Sequence, residues 1–197
     1  MRIAPLSGEA LADLAPLLER VEQSMGFLPN SMRTMARVPG LAQGLSGLAA
    51  AVWAAPRTSA ELKGLVAVAV SQGAGCRYCQ AHTAHRASHV LGVHDAKLDA
   101  LWAFEASDLF TAAERAALRM AIGAGQSPSA VTDAEMGELK RHFDDDAIAE
   151  LVAVVALFGF LNRWNDTLGT ELESAPLAFA EKRLAPAGWT AGKHRAG

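Results

Sequence analysis

The chain has 197 residues, with 18 basic against 21 acidic side chains and a formal charge of −3. That length suits one domain, or a duplicated unit closed into one. With 51% hydrophobic and 20% charged residues, the composition supports a sizeable core and excludes a disordered tail protein; without a basic excess, a nucleic-acid surface has little electrostatic support.

Alanine is the commonest residue and Leu, Glu, Arg and Met are abundant, so helix is the default along the chain. Ser7-Gly8 opens a helix that ends near Gly26, and Pro29 and Pro39 bracket a short one. Pro39 opens a helix to Ala55, which Pro56 stops. Thr58-Ser59-Ala60-Glu61 fits a capping box with Thr58 as the cap and Glu61 three residues on. The helix that follows breaks at Gly73-Ala74-Gly75, and the next begins at or near Cys76 and runs to Val90. Further helices are predicted over Ala96–Phe104, Thr111–Ala124, Asp133–Phe143, Asp146–Leu168 and Pro176–Leu184. Leu65–Val70 and Leu151–Val155 have the make-up of buried strands. Each, however, lies in a longer Ala- and Leu-rich window without turn signals, which reads as buried helix. Residues 1–185 then form a single helical domain. The stretch 186–197, small and polar apart from Trp189, is expected to be a flexible tail.

The longest apolar run, Leu151 to Leu161, is shorter than the about 20 residues a bilayer requires. No signal-peptide pattern follows Met1, so a cytoplasmic location without a membrane partner is expected. The only two cysteines form one Cys76-x-x-Cys79 pair, which excludes a disulfide framework and raises a redox or metal role.

One internal echo organises the chain. Leu65, Val66, Ala67, Val68 and Arg77 recur 86 residues later as Leu151, Val152, Ala153, Val154 and Arg163. At the same offset Tyr78 pairs with Trp164, and Cys76 and Cys79 pair with Asn162 and Asn165. The pattern reads as a pseudo-repeat over about 58–90 and 144–168, packed across a pseudo-twofold, with one copy keeping thiols.

The chemistry concentrates in Cys76-Arg77-Tyr78-Cys79-Gln80-Ala81-His82-Thr83-Ala84-His85-Arg86-Ala87-Ser88-His89. Residues three and four apart share a helix face, which makes Cys76 and Cys79 neighbours with His82 on the next turn. A thiol at a helix N-terminus is stabilised as thiolate, and an adjacent imidazole can take its proton. Zinc held by Cys76, Cys79 and two of His82, His85 and His89 is disfavoured, because one straight helix supplies only part of a tetrahedron. Neither metal nor cofactor is expected. Trp53, Trp102 and Trp164 read as core or subunit contacts, and Met25, Met32 and Met35 as packing.

Gly75-Cys76-Arg77-Tyr78-Cys79-Gln80-Ala81-His82-Thr83 resembles the redox motif of the AhpD-like superfamily, which includes alkylhydroperoxidases, peroxidase-related proteins and carboxymuconolactone decarboxylases. Phe158-Gly159-Phe160-Leu161-Asn162-Arg163-Trp164-Asn165-Asp166 resembles the second half of the peroxidase-related branch, and the likeness covers most of residues 20–175. The resemblance implies an all-α, duplicated helical bundle that assembles as homo-oligomers, commonly trimers or hexamers. It implies Cys79 as the attacking thiol and Cys76 as the resolving one, with His82 in the proton relay three residues after Cys79 rather than four. The family's relay glutamate, twelve residues before the first cysteine, falls on Gly64. Glu61, one turn earlier, and Glu150, which holds the position of Gly64 in the second copy, are the substitutes, and His85, Tyr78, Arg163 and Trp164 are further pocket candidates.

The resulting expectation is a thiol-dependent peroxidase that reduces small hydroperoxides and is recharged by an external dithiol or reductase. It should be slow if Gly64 breaks the relay, and then Gly64→Glu should speed it. Two alternatives stand beside it. One is a decarboxylase-like lyase or isomerase on a small lactone acid, with His82 or His85 as base and Arg77 or Arg163 holding the carboxylate. The other is a redox-sensing oligomer without catalysis.

Overall fold

Turn residues set most of the helix ends. The structure, a computed structural model that describes residues 1–195, contains no strand among those residues. A 3-10 turn (Gly8–Leu14) leads into α1 (Ala15–Met25), so the first predicted helix is two pieces. Pro16 sits in the first turn of α1, where a missing N–H costs nothing, and Gly26 closes it at φ +78°. α2 (Asn30–Met35) and α3 (Leu41–Ala54) follow.

α4 (Ala60–Gly73) is capped by Ser59, whose hydroxyl accepts from the Leu62 N–H at 3.1 Å. The expected cap, Thr58, is instead engaged with Glu150. α5 (Arg77–His89) begins one residue after Cys76. α6 (Asp95–Ala100) is shorter than expected because the chain tightens into a 3-10 turn at Leu101–Ala103. α7 (Ala112–Gly125) and α8 (Asp133–Leu139) both open on capping boxes, at Thr111/Glu114 and Thr132/Glu135. α8 stops at Leu139, four residues before the expected end. α9 (Asp145–Leu168) is capped by Asp144, and α10 (Ser174–Arg183) completes the bundle.

α4 is the axis of the molecule. Every residue from Leu62 to Ser71 is buried, apolar or glycine except for Lys63 and Ser71, as befits a helix enclosed on every side. Burying Leu65, Val66, Val68 and Val70 contributes about 1.5–3 kcal/mol each. α4 packs against α7, α5 and α9. α9 is long and apolar enough to cross a bilayer by length and composition alone. Here it lies against α3, α4, α5 and α7.

The tail departs from expectation. Trp189, Ala191 and His194 are buried, the Leu172 N–H donates to the His194 carbonyl at 2.8 Å, and the Trp189 indole N–H donates to the Arg77 carbonyl at 3.3 Å. One large aromatic ring and a hydrogen-bonded imidazole offset the entropy of ordering an otherwise small-residue segment. Residues 196–197 lie outside the described range.

Candidate thiol site

Gly75, at φ +71°, turns the chain between α4 and α5 and leaves Cys76 extended at the cap of α5. There its sulfur accepts the Cys79 N–H at 3.4 Å. Both cysteines are free thiols, Cys76 fully enclosed and Cys79 3% exposed. The hydrogen bond from the Cys79 thiol, helped by the backbone N–H groups of Cys79 and Tyr78, holds Cys76 below the usual thiol range against the effect of burial. Burial, and then the proton shared with Cys76, push Cys79 well up; the Asn165 amide, which donates to its sulfur at 3.6 Å, works the other way. Cys76 is therefore the more acidic thiol of the pair.

The two sulfurs face different surroundings. Cys79 lines an apolar cavity of about 350 Å³ walled by Met25, Met32, Trp53, Phe158 and Leu161, whereas Cys76 lies behind that wall. Tyr78, His82, Thr83, Arg86 and Asn165 add the polar atoms. Met25, Met32 and Trp53 thus border a cavity as well as filling space.

His82 does not bond either sulfur. Its Nε2 meets Glu173 at 2.5 Å, and its ring stacks on Tyr78 at 4.1 Å between centroids. Glu173 also accepts the Tyr78 hydroxyl at 3.0 Å and the Asn30 N–H at 2.5 Å. Burial pushes the Glu173 carboxyl up, but His82 and the Asn30 N–H outweigh it, so it stays below the usual carboxylate range. Tyr78 is pushed well above the ordinary phenol range by burial and by Glu173, and remains a donor.

Several expected partners lie elsewhere. Glu61 pairs with Lys97 at 3.0 Å. Glu150 accepts the Thr58 N–H and hydroxyl at 2.9 Å each and the Arg57 N–H at 2.7 Å, and faces Lys63 at 3.5 Å. Neither lines the cavity; both tie down the start of α4. A relay side chain at Gly64 would have to displace its neighbours, because a Cβ there would meet the side chains of Leu91, Ala87 and Val93 at 3.1–3.3 Å. The carboxylate that reaches His82 is Glu173, from the loop before α10. His85 stacks on His89 at 4.3 Å and borders Phe27 and Phe179, away from the cavity lining. Trp164 donates to Thr34 at 3.0 Å, and Arg163 is exposed beside a second, polar cavity. Neither Arg77 nor Arg163 lines the apolar cavity. Arg86 does, with its guanidinium 4.9 Å above the Trp53 ring.

Glu173 and Arg86 escaped the sequence reading. Asn165 was visible in it as the counterpart of Cys79, though not as its hydrogen-bond donor.

An all-helical bundle with a buried Cys-x-x-Cys pair at a helix start, open to an apolar cavity through one sulfur, defines an AhpD-like fold. The carboxymuconolactone decarboxylase family matches residues 39–122. The crystal structure of the debrominase Bmp8 is similar at 36% identity and TM-score 0.85, over 91% of this chain and 96% of that one. A cysteine-to-alanine variant of Bmp8 in complex with 2,3,4-tribromopyrrole is similar at 35% identity and TM-score 0.86, over 92% and 97%. A peroxidase-related protein from Ralstonia eutropha JMP134 shares the fold at 23% identity and TM-score 0.72, over 91% and 96%. The uncharacterized protein YnjA of Escherichia coli (strain K12) is 33% identical over 107 residues, which span 54% of this chain and 58% of that protein. The chain is related to the debrominase Bmp8 over nearly its whole length and shares its fold with AhpD-like proteins.

Proposed function

We propose that the protein is a dithiol reductase that passes two electrons from Cys76 and Cys79 to a small apolar electrophile. The observation that carries this reading is that Cys79 alone of the two sulfurs borders the apolar cavity. Cys76 is the more acidic of the two thiols, and once ionised it takes the proton of Cys79 before attack. That leaves a thiolate of high intrinsic basicity, and therefore of high nucleophilicity, facing the substrate. Asn165 steadies the charge. With an organic hydroperoxide, the Cys79 sulfur takes the distal oxygen and the O–O bond breaks. His82, backed by Glu173, protonates the departing alkoxide. Cys76 then attacks the sulfenic acid and releases water, for a balance of dithiol plus hydroperoxide to disulfide, alcohol and water. An external dithiol or reductase restores the pair.

A second substrate class is favoured by the size and apolarity of the cavity and by the likeness to the debrominase. A halogenated aromatic ring would enter, and the balance becomes dithiol plus aryl bromide to disulfide, arene and hydrogen bromide. Arg86, over Trp53, supplies a cation for an anionic or electron-rich ring.

The test is single turnover of the reduced protein with cumene hydroperoxide, hydrogen peroxide and a brominated pyrrole, with free thiols counted and products identified. Loss of two thiols with at least one of the apolar substrates, about 10-fold or more faster than with hydrogen peroxide, is expected. Survival of both thiols with all three would remove the proposal.

A further inference from the structure

Behind the Cys76–Cys79 pair, on the side away from the apolar cavity, three donor atoms converge. They are the Cys76 sulfur, a carboxylate oxygen of Asp166 from α9, and a ring nitrogen of His194 from the tail, all within 4.8 Å of one another. His194 is fully buried, and its Nδ1–H donates to the Thr170 carbonyl at 2.7 Å. That bond leaves Nε2 as a bare lone pair, and among the described residues this atom has no hydrogen-bond partner. It lies 3.6 Å from Asp166 Oδ1, while Oδ2 of the same carboxylate accepts Lys193 at 2.8 Å.

We propose that Cys76, Asp166 and His194 form a binding site for a single divalent transition-metal ion of the zinc type. The separation of His194 and Asp166 argues for it. A donor pair at 3.6 Å is too wide for a hydrogen bond. It is close to the spacing, about 3.3–3.8 Å, that ligands 2.0–2.3 Å from a tetrahedral ion adopt. The donor set is one thiolate, one imidazole and one carboxylate, the mixture that zinc accepts. Here the ligands come from three separate elements, which a closed site requires and a single helix cannot supply. An imidazole whose second nitrogen is fixed by a backbone carbonyl is the usual orientation of a metal-bound histidine. Asp166 also lines the polar cavity of about 500 Å³ beside α9, so the carboxylate side of the cluster is the one nearest solvent.

Binding releases one proton from the Cys76 thiol and forms a sulfur–metal bond, with no change of oxidation state. A Cys76–Cys79 disulfide uses the same sulfur, so metal and disulfide exclude each other. The bound ion would hold the pair reduced and out of turnover while Cys79 stays at the apolar cavity.

Cobalt(II) titration of the reduced full chain tests this, with zinc as competitor. The expected result is a thiolate-to-cobalt absorption band with visible bands of a tetrahedral site, saturating at one equivalent and bleached by zinc. Cys76→Ser should abolish the near-ultraviolet band. Asp166→Asn and His194→Gln should each weaken binding by about 10- to 100-fold or more, and Cys79→Ser should leave it within about twofold. The oxidised protein should not bind. No binding, equal loss in Cys79→Ser, or indifference to Asp166→Asn would overturn the proposal. His194 is buried and its variant can misfold, so the partly exposed Asp166 keeps the outcome decisive. Binding is read by absorbance without turnover, so this result stands apart from that of the reductase test.

Discussion

At the scale of single residues, exposure and acidity are divided between two sulfurs one turn apart. Cys76 has the helix N-terminus and the lower thiol pKa, whereas Cys79 has the cavity. Acidity alone would name Cys76 as the attacking thiol; access names Cys79, because an enclosed sulfur cannot reach a substrate. Glu173 positions His82 for the proton that the reaction needs. Glu173→Gln keeps the shape and removes the charge, and we expect kcat/KM to fall by about 100-fold with a shifted acid limb in the pH profile. Partial rescue by Glu173→Asp would separate this role from a structural one, and an unchanged profile would count against it. The folded-state pKa of Glu173 is depressed, so its ionised form stabilises the fold above the unfolded carboxylate value of about 4.3. That stability is lost as pH falls through the lower folded value. His85 acts in a different window. Burial first, then His89 and His82, lower it to about 4. Below about 6.5 the unfolded chain takes up a proton that the folded chain refuses until about pH 4, so stability declines over that interval. Melting curves from pH 7 to 4 should show the decline, and His85→Gln should flatten it; parallel curves would contradict the assignment.

Helices carry a different kind of constraint, set by how closely backbones approach. A Cβ on Gly73 would lie 2.2 Å from the Ile122 carbonyl oxygen, and one on Gly125 would lie 2.4 Å from that of Val70. α4 and α7 therefore meet backbone to backbone, and no side-chain rotation can relieve an added methyl. Gly73→Ala should cost about 3 kcal/mol, at the upper end of overpacking effects. Chemical denaturation measures it, and a loss under 1 kcal/mol would mean the helices slide apart freely. At Gly64 the close neighbours are side chains, so Gly64→Glu should destabilise the protein by displacing Leu91, Ala87 and Val93. Much of this level is legible in the sequence, because Gly, Pro and capping residues announce helix ends locally and helical composition announces the class. The cap falls on Ser59 rather than Thr58 because both suit the role locally, and the choice turns on Glu150, 92 residues from Thr58. Glu173 was illegible for the same reason, since its contact with His82 spans 91 residues and no spacing rule links them. The tail misled through its composition, which hid what Trp189 and His194 dock against. We propose that the 86-residue echo is a true duplication. Cys79 and its counterpart Asn165 touch, and Tyr78 and Trp164 both hydrogen-bond α2, at Ser31 and Thr34.

For the whole molecule, the remaining apolar surface points to self-association. Val152 and Phe160 on α9 are 44% and 39% exposed, and Leu48 on α3, which packs beside α9, is 52% exposed. Ala156 and Gly159 lie between the two α9 residues at helical spacing, so the exposed face is continuous and free of charge over two turns. A lone exposed Leu or Val is ordinary; an unbroken stripe on adjacent helices marks an interface. A stable interface buries about 800 Å² per partner. A stripe two turns long supplies the centre of such an area and leaves the rim to polar neighbours. We therefore expect the wild-type chain to be an oligomer at micromolar concentration by light scattering. The double variant Val152→Glu, Phe160→Glu should be a monomer, because two carboxylates facing their copies across a dry contact bring desolvation and repulsion together. Both positions are exposed in the single chain, so its circular dichroism should not change. A monomeric wild type, or an oligomer that tolerates both glutamates, would place the contact elsewhere. The apolar cavity borders on Leu45, Ala49 and Trp53 of α3 and Phe158 of α9. A contact on the outer faces of the same two helices would brace the cavity wall, so the monomeric variant should also show weaker substrate saturation at unchanged thiol content.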